Sequence, residues 1–364
     1  MRSRKRSIRL LSILVVLALS VYAVTMLPLT GWFEKLVPAS PGQCVRLAGP
    51  IGAEDFAVDW QKRRAYVSSA DRHGVEHGER PGGDIYLLDF SGTSPKLSPL
   101  KAWQDDGFFP HGLDFISDWD GTRRLFAINH GANGRDHTVE MFDAADDGTL
   151  RHVRTISSSS FTSPNDIAAM SSEQFYLTND PFDVPVSEKV MNYLGIATGT
   201  VVYYSDGVAR PVVDNLRFAN GIARSPDGQW LLVAESLGRS IAVFQRNPFT
   251  GQLVRRSEIA VPMAADNLIV QPDGTTVVAG HPRPLAFLSY AKTPQDRRAP
   301  SMVMRLDPTQ LPYPAPEHRN LPLPYVNDGS QFSAASAGFI DHQGRLFVGS
   351  VYERGVLMCE PQTR

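Results

Sequence analysis

The chain has 364 residues, 42% of them hydrophobic and 20% charged, with a formal net charge of -2. That balance carries neither a polybasic footprint nor an acidic tail, so nucleic acid is not an expected partner, and there is too much apolar material for a disordered chain. With Gly 29 and Pro 27, the composition describes a folded protein rich in turns.

The N-terminus differs in kind from the rest. Arg2, Arg4, Lys5, Arg6 and Arg9 precede "LLSILVVLALSVYAVTMLPL", an uncharged run of about twenty residues, long enough to cross a bilayer. The positive cluster should stay on the cytoplasmic side and send the remainder across. Residues 1–30 therefore read as a transmembrane signal-anchor. A cleaved signal peptide is the competing reading, although no convincing small-x-small cleavage site follows. The expected location is membrane-anchored with the folded part on the extracytoplasmic side, or secreted if the segment is removed. Residues 31–43, with "GWFEKLVP" and Trp32 expected at the headgroup level if the segment is interfacial, read as a linker or an interfacial segment. Two cysteines occur, Cys44 at the start of the exported part and Cys359 near its end. In an oxidising compartment they are a candidate staple, unrelated buried thiols being the alternative.

From Cys44 onward, short polar or small-residue pairs recur just ahead of apolar strands: Glu54-Asp55, His111-Gly112, Asn165-Asp166, Asn220-Gly221, Asp266-Asn267 and Ala337-Gly338. After each comes an alternating segment, usually a turn, and a second β-rich segment such as "RRAYVSSA", "QFYLTND" or "RLFVGSV". Asp120-Gly121, Asp227-Gly228, Asp273-Gly274 and Gln343-Gly344 mark the turns, and Asp-Gly is a strong hairpin signal. Third segments such as "GDIYLLDF" and "GTVVYYSDG" follow. Units of four strands at intervals of roughly 45 to 70 residues are the pattern of a propeller blade. Six units predict an all-β six-bladed β-propeller over residues 44–361, with little helical periodicity outside the N-terminal segment.

In such a fold the first strands line the central channel, and the pairs converge on it. The ring would contain Glu54, Asp55, His111, Asn165, Asp166, Asn220, Asp266 and Asn267. Carboxylate and amide oxygens without thiolates suit a hard cation, calcium better than magnesium. A single pair of this kind could merely cap a turn; four in equivalent positions of one repeat call for another explanation. No G-x-S-x-G elbow and no H-E-x-x-H helix is present, so a serine hydrolase or a zinc peptidase has no support.

Taken together, "EDF", "FFPHGLDF", "FAINH", "TVEMF", "PNDIAAM", "FYLTND", "ANGIARSPDG", "DNLIVQPDG" and "GHP" resemble the paraoxonase family of calcium-dependent lactonases and arylesterases. More distantly the chain is similar to the gluconolactonase and senescence-marker propellers. The resemblance implies two calcium ions. Glu54, Asn165, Asn220, Asp266 and Asn267 would hold a catalytic ion; Asp55, Asp166 and the backbone carbonyl of Leu113 would hold a structural one. It implies a histidine dyad, His111 as base and His130 as orienter or relay, and a disulfide between Cys44 and Cys359. Phe108, Phe109 and Phe182 are expected at an apolar mouth. His281 is either pocket wall or packing, and His73 and His77 are expected to be solvated. The implied activity is hydrolysis of small lactone or ester substrates. The rival readings are a non-catalytic calcium-stabilised propeller that binds a ligand or partner, and a strictosidine-synthase-like propeller, which would not need the ring of oxygens.

Overall fold

The computed structural model describes residues 12–13, 16–17, 20–33, 35–76, 79, 82–103, 107–131, 134, 136–180, 197–293, 297–307 and 322–361. Six four-stranded antiparallel sheets surround a central axis. The first blade runs β2 (Ala53–Asp59), β3 (Arg64–Ser69), β4 (Asp84–Asp89) and β5 (Lys96–Pro99) from the axis outward. The second runs β6 (Pro110–Ser117) to β9 (Leu150–Ser157), and the third β10 (Pro164–Ser171) to β13 (Val208–Leu216). The fourth runs β14 (Ala219–Arg224) to β17 (Leu253–Ala260), and the fifth β18 (Ala264–Val270) to β21 (Tyr325–Asn327). In the sixth, β22 (Ala335–Ile340), β23 (Leu346–Ser350) and β24 (Arg354–Cys359) are completed by β1 (Cys44–Ile51), so the start of the propeller closes its own end.

That closure is covalent. Cys44 and Cys359 face each other across the antiparallel pair and are disulfide-bonded over a separation of 315 residues. Without the bond, only one ladder and its packing keep the circle shut. Cys44→Ser is therefore expected to lower the unfolding free energy by roughly 5 kcal/mol, the chain-entropy value for so long a loop. Chemical denaturation of oxidised wild type and variant checks this, and unchanged midpoints would contradict it.

Between the strands, the turn chemistry follows the sequence. Gly121, Gly228, Gly274 and Gly344 all have positive φ, where a Cβ is strained. Ahead of three of them the aspartate accepts a backbone N–H two residues on: Thr122 to Asp120, Gln229 to Asp227 and Thr275 to Asp273, at 2.9 to 3.0 Å.

The core is divided among the blade interfaces. Phe56, Phe90, Phe339 and Phe347 join the first and sixth blades, Phe126, Ile156, Phe175 and Tyr204 the second and third, and Leu232, Val243, Val278 and Met304 the fourth and fifth. Each blade thus buries both faces, and a wedge of apolar side chains between neighbours holds the inner strands around the axis.

Beyond the N-terminal segment the described residues hold two short helices, Arg72–Glu76 and Pro284–Lys292, in keeping with the expectation of little helix there. Both belong to loops that leave second strands at the same end of the propeller. Pro at the start of Pro284–Lys292 and the run "LAFLSYAK" favour the helix locally. The stretch of 9 residues is about two and a half turns long, too short for its leucine, alanine and aromatic residues to set up a clear helical period. Among the described residues no helix is long and apolar enough to cross a membrane. Arg2 to Arg9 and part of the apolar run lie outside the described residues. Beyond the short 3₁₀ turn Pro28–Thr30, the segment leading to β1 lies against the fifth blade, where Ala39 and Val326 exchange backbone hydrogen bonds.

Candidate active site

Every inner strand breaks register with its neighbour at the same place. Pairing lapses between Ala53 and Phe56, Pro110 and Leu113, Pro164 and Ile167, Ala219 and Ile222, Ala265 and Leu268, and Ala335 and Gly338. The two residues skipped are Glu54-Asp55, His111-Gly112, Asn165-Asp166, Asn220-Gly221, Asp266-Asn267 and Ser336-Ala337. A bulge re-aims side chains out of the regular alternation, which is how one short motif serves six blades. In the sixth blade the expected pair, Ala337-Gly338, is one residue late, since the break falls on Ser336-Ala337. Ser336 Oγ donates to the Glu54 carbonyl at 2.6 Å; the position ties blades together and offers no carboxylate or amide.

Two of the pairs end in glycine for a steric reason. A Cβ on Gly112 would stand 2.5 Å from Asp166 Cα, and one on Gly221 would stand 2.6 Å from the Asp266 carbonyl oxygen. Neighbouring inner strands approach too closely there for any side chain. The approach lets carboxylates reach across blades: Leu113 N–H donates to Asp55 Oδ2 at 2.8 Å and Ile222 N–H to Asp166 Oδ2 at 2.7 Å.

The amides are arranged differently. Asn165 Nδ2 donates to Asp180 Oδ2 at 2.8 Å, Asn220 Nδ2 to Ser236 Oγ at 3.0 Å and Asn267 Nδ2 to Glu54 Oε1 at 2.7 Å. With the nitrogens tied back, the oxygens are left over. Asn165 Oδ1, Asn220 Oδ1, Asn267 Oδ1 and Glu54 Oε2 are buried and accept no hydrogen bond among the described residues. A buried acceptor without a partner costs about 1–3 kcal/mol, so four in the bulges of four blades would be a large penalty with no return. A hard cation would satisfy all of them. Among the described residues no three His, Cys, Asp or Glu form a metal set on their own; a cation here would depend on the amide oxygens as well.

The electrostatics agree. In the bare protein, burial pushes Glu54 up to about 8, further raised by Asp55 and Asp266 and opposed by Arg72. Burial likewise pushes Asp55 up to about 7 and holds Asp166 well above the usual carboxylate range, with the Asp55 charge adding to it. Crowded, desolvated carboxylates raise one another in this way when the positive charge beside them, here Arg72, is too little to offset burial.

His111 stands beside this set, its Nε2 3.7 Å from Glu54 Oε2. Its Nδ1 lies 2.8 Å from His130 Nε2, so the two histidines are hydrogen-bonded. Desolvation first, then the Arg72 charge and the neighbouring rings of His130 and His137, hold His111 well below the ordinary imidazole range; it is neutral at neutral pH. Asn129 braces the backbone beside both rings, its Oδ1 accepting Phe109 N–H at 2.8 Å and Gly131 N–H at 2.9 Å. His281 Nε2 lies 3.0 Å from Asp266 Oδ2, and its ring stacks on Phe287 at 3.9 Å.

Phe108 is not at the mouth. It is fully buried and stacks on Trp103 at 5.2 Å, part of the core between the first two blades. Consecutive residues of an extended chain point to opposite sides, so "FFPHG" could not present both rings to one pocket. Phe109 is buried beside the histidine pair, while Phe182 and His77 lie outside the described residues. His73 is not solvated either: it stacks on Tyr352 at 4.1 Å, with its Nδ1 3.1 Å from the Ala291 carbonyl oxygen. Arg72, whose NH2 is 3.9 Å from Glu54 Oε2, and His137 join the site without any signal in the sequence. Each comes from a loop or strand edge whose approach depends on tertiary packing.

A family model described as Arylesterase matches residues 75–360. The chain belongs to the arylesterase family. It is 31% identical over 336 residues to serum paraoxonase/arylesterase 2 of Gallus gallus, covering 90% of this chain and 91% of that protein. It is 28% identical over 337 residues to serum paraoxonase/arylesterase 1 of Homo sapiens, with 90% and 91% covered. In fold it is similar to a putative gluconolactonase, with a TM-score of 0.55 at 16% identity, covering 91% of this chain and 96% of that one. It is also similar to the calcium-binding protein regucalcin from Agrobacterium tumefaciens, with a TM-score of 0.50 at 13% identity over 90% and 96%. This arylesterase is a carboxylic ester hydrolase on a six-bladed propeller, acting on small-molecule esters or lactones.

Proposed function

We propose that this arylesterase is a calcium-dependent hydrolase of lactones and aryl esters in which His111 is the general base. The observation that carries the reading is the set of four buried, unpartnered oxygens next to a hydrogen-bonded histidine pair. Glu54, Asn165, Asn220, Asp266 and Asn267 would hold the catalytic ion, and Asp55, Asp166 and the Leu113 carbonyl a structural one. When bound, the catalytic ion supplies a hard positive charge that polarises an ester carbonyl and stabilises the negative charge growing on its oxygen.

The chain's own residues supply the proton chemistry. His111 Nε2 is neutral and faces the polar end of the channel, placed to take a proton from an attacking water. His130 holds the opposite nitrogen, so the ring cannot turn away. The same His111 then returns the proton to the departing alkoxide. In a lactone that alkoxide stays tethered, and the ring already holds the cis ester geometry. A purely structural cation would account for the oxygens and leave the histidine pair without a role.

Aromatic groups gather at this end of the channel: Phe287 on His281, and His73, Tyr290 and Tyr352 in one cluster. Such a wall favours a substrate with an acyl or alkyl tail over a bare sugar lactone. The expected order of kcat/KM is aliphatic lactones above phenyl esters, and phenyl esters above phosphotriesters. A panel of the three classes assayed with the full chain tests this, and a preference for phosphotriesters would contradict it.

The disulfide and the basic, then apolar, N-terminus support a membrane-anchored protein with its propeller outside the cytoplasm. Retention of the full chain in alkaline-washed membranes tests the anchor; a soluble product beginning near residue 24 to 31 would make the segment a signal peptide.

A further inference from the structure

We propose that His137 is a positioning residue: it accepts a hydrogen bond from His130 and thereby sets which nitrogen of His111 carries the proton. The inference rests on the reading of His111 as base. Asn129 and Thr138 are opposite one another in the antiparallel pair of β7 (Arg123–Asn129) and β8 (Thr138–Ala144). The residues just beyond, His130 and His137, therefore meet at the next rung. His137 is buried, and its Nδ1 lies 3.0 Å from His130 Nδ1. With His130 Nε2 2.8 Å from His111 Nδ1, three imidazoles form one chain leading away from the pocket.

A neutral imidazole has one donor and one acceptor, so this chain can be satisfied in only two directions. The pocket end decides between them. The Arg72 guanidinium reaches to 3.9 Å from the same Glu54 oxygen that lies 3.7 Å from His111 Nε2. At 3.7 Å an N–H on His111 Nε2 would be too far from that oxygen for a hydrogen bond, and the nearby Arg72 charge opposes further positive charge on this ring. A lone pair there is favoured instead. His111 then carries its proton on Nδ1 and donates to His130 Nε2, and His130 donates from Nδ1 to His137 Nδ1. His137 must hold its own proton on Nε2 to accept.

An acceptor at position 137 is thus what keeps His130 in the tautomer that His111 needs. Remove it, and the His130 Nδ1–H loses that partner. The opposite tautomer then competes, placing a proton where His111 should present a lone pair. Asparagine can offer an oxygen in place of Nδ1; alanine cannot.

The test is imidazole nitrogen NMR on the full chain labelled only at histidine, with His111→Gln and His130→Gln assigning the signals. The wild type should show His111 and His130 both protonated on Nδ1. His137→Ala should mix the His130 tautomers and lower kcat for an aliphatic lactone about tenfold or more with KM unchanged, and His137→Asn should restore both. A wild-type His130 protonated on Nε2 would overturn the assignment. So would unchanged tautomers and unchanged kcat in His137→Ala. If His137→Ala fails to fold, the wild-type spectrum and His137→Asn decide. Correct tautomers in a chain that hydrolyses no ester would refute the proposed function while leaving the role of His137 in the hydrogen-bond chain supported.

Discussion

Stripped of divalent cations, the full chain should lose stability as the pH rises from about 4 to 8, and calcium should restore it. Glu54 and Asp55 titrate in the bare fold near 8 and 7, against ordinary values of 4.5 and 3.8, and Asp166 is also raised. The sign follows from linkage. Between the two sets of values the folded state binds more protons than the unfolded state, so the slope of stability against pH is negative. The stabilising effect of protonation is fully present below about 4 and lost as the pH passes the raised values. A tenfold change in one group's proton affinity is worth about 1.4 kcal/mol, so the melting temperature of stripped protein should drop by roughly 10 °C or more relative to loaded protein across this window. Thermal melts at stepped pH, with chelator and with calcium, check it. Parallel curves for the two forms would show that the carboxylates are neutralised by something other than a bound ion.

His111→Gln should reduce lactone turnover by on the order of a hundredfold or more, the usual weight of a general base. Glutamine can preserve a hydrogen bond to His130 and has no basic nitrogen. His111 sits at the open end of its bulge with no metal-holding oxygen of its own, so the melting temperature and the calcium content should stay near wild type. Kinetics on one aliphatic lactone, with metal analysis of the same sample, separate the effects. If turnover persists near the wild-type rate, the base is a carboxylate, with Glu54 or Asp266 next in line.

Much of this site was legible because a bulge must be written locally. Polar pairs interrupting apolar strands, such as Asn165-Asp166 in "SPNDIAAM", have no packing reason to exist, and their recurrence gave the blade count. The Asp-Gly turns were equally local. The misplacement of the sixth pair has a physical cause: its bulge falls on Ser336-Ala337, and within "ASAGFI" no carboxylate or amide sets those two residues apart from their small neighbours. Phe108 and Phe109 could not be told apart without the direction of the strand. Arg72 and His137 were invisible for a different reason. Their partners, Glu54 and His130, are reached through a loop crossing and a strand pairing, and neither leaves a pattern in neighbouring residues.

The measurement that bears most directly on the whole account is the hydrolysis of an aliphatic lactone by chelator-treated full chain as free calcium is raised. The rate should be near background without calcium and return along a saturable curve, reaching the untreated value when the oxygens of Glu54, Asn165, Asn220 and Asn267 are again satisfied. Full turnover by protein shown to hold less than about one divalent ion per ten chains would contradict it.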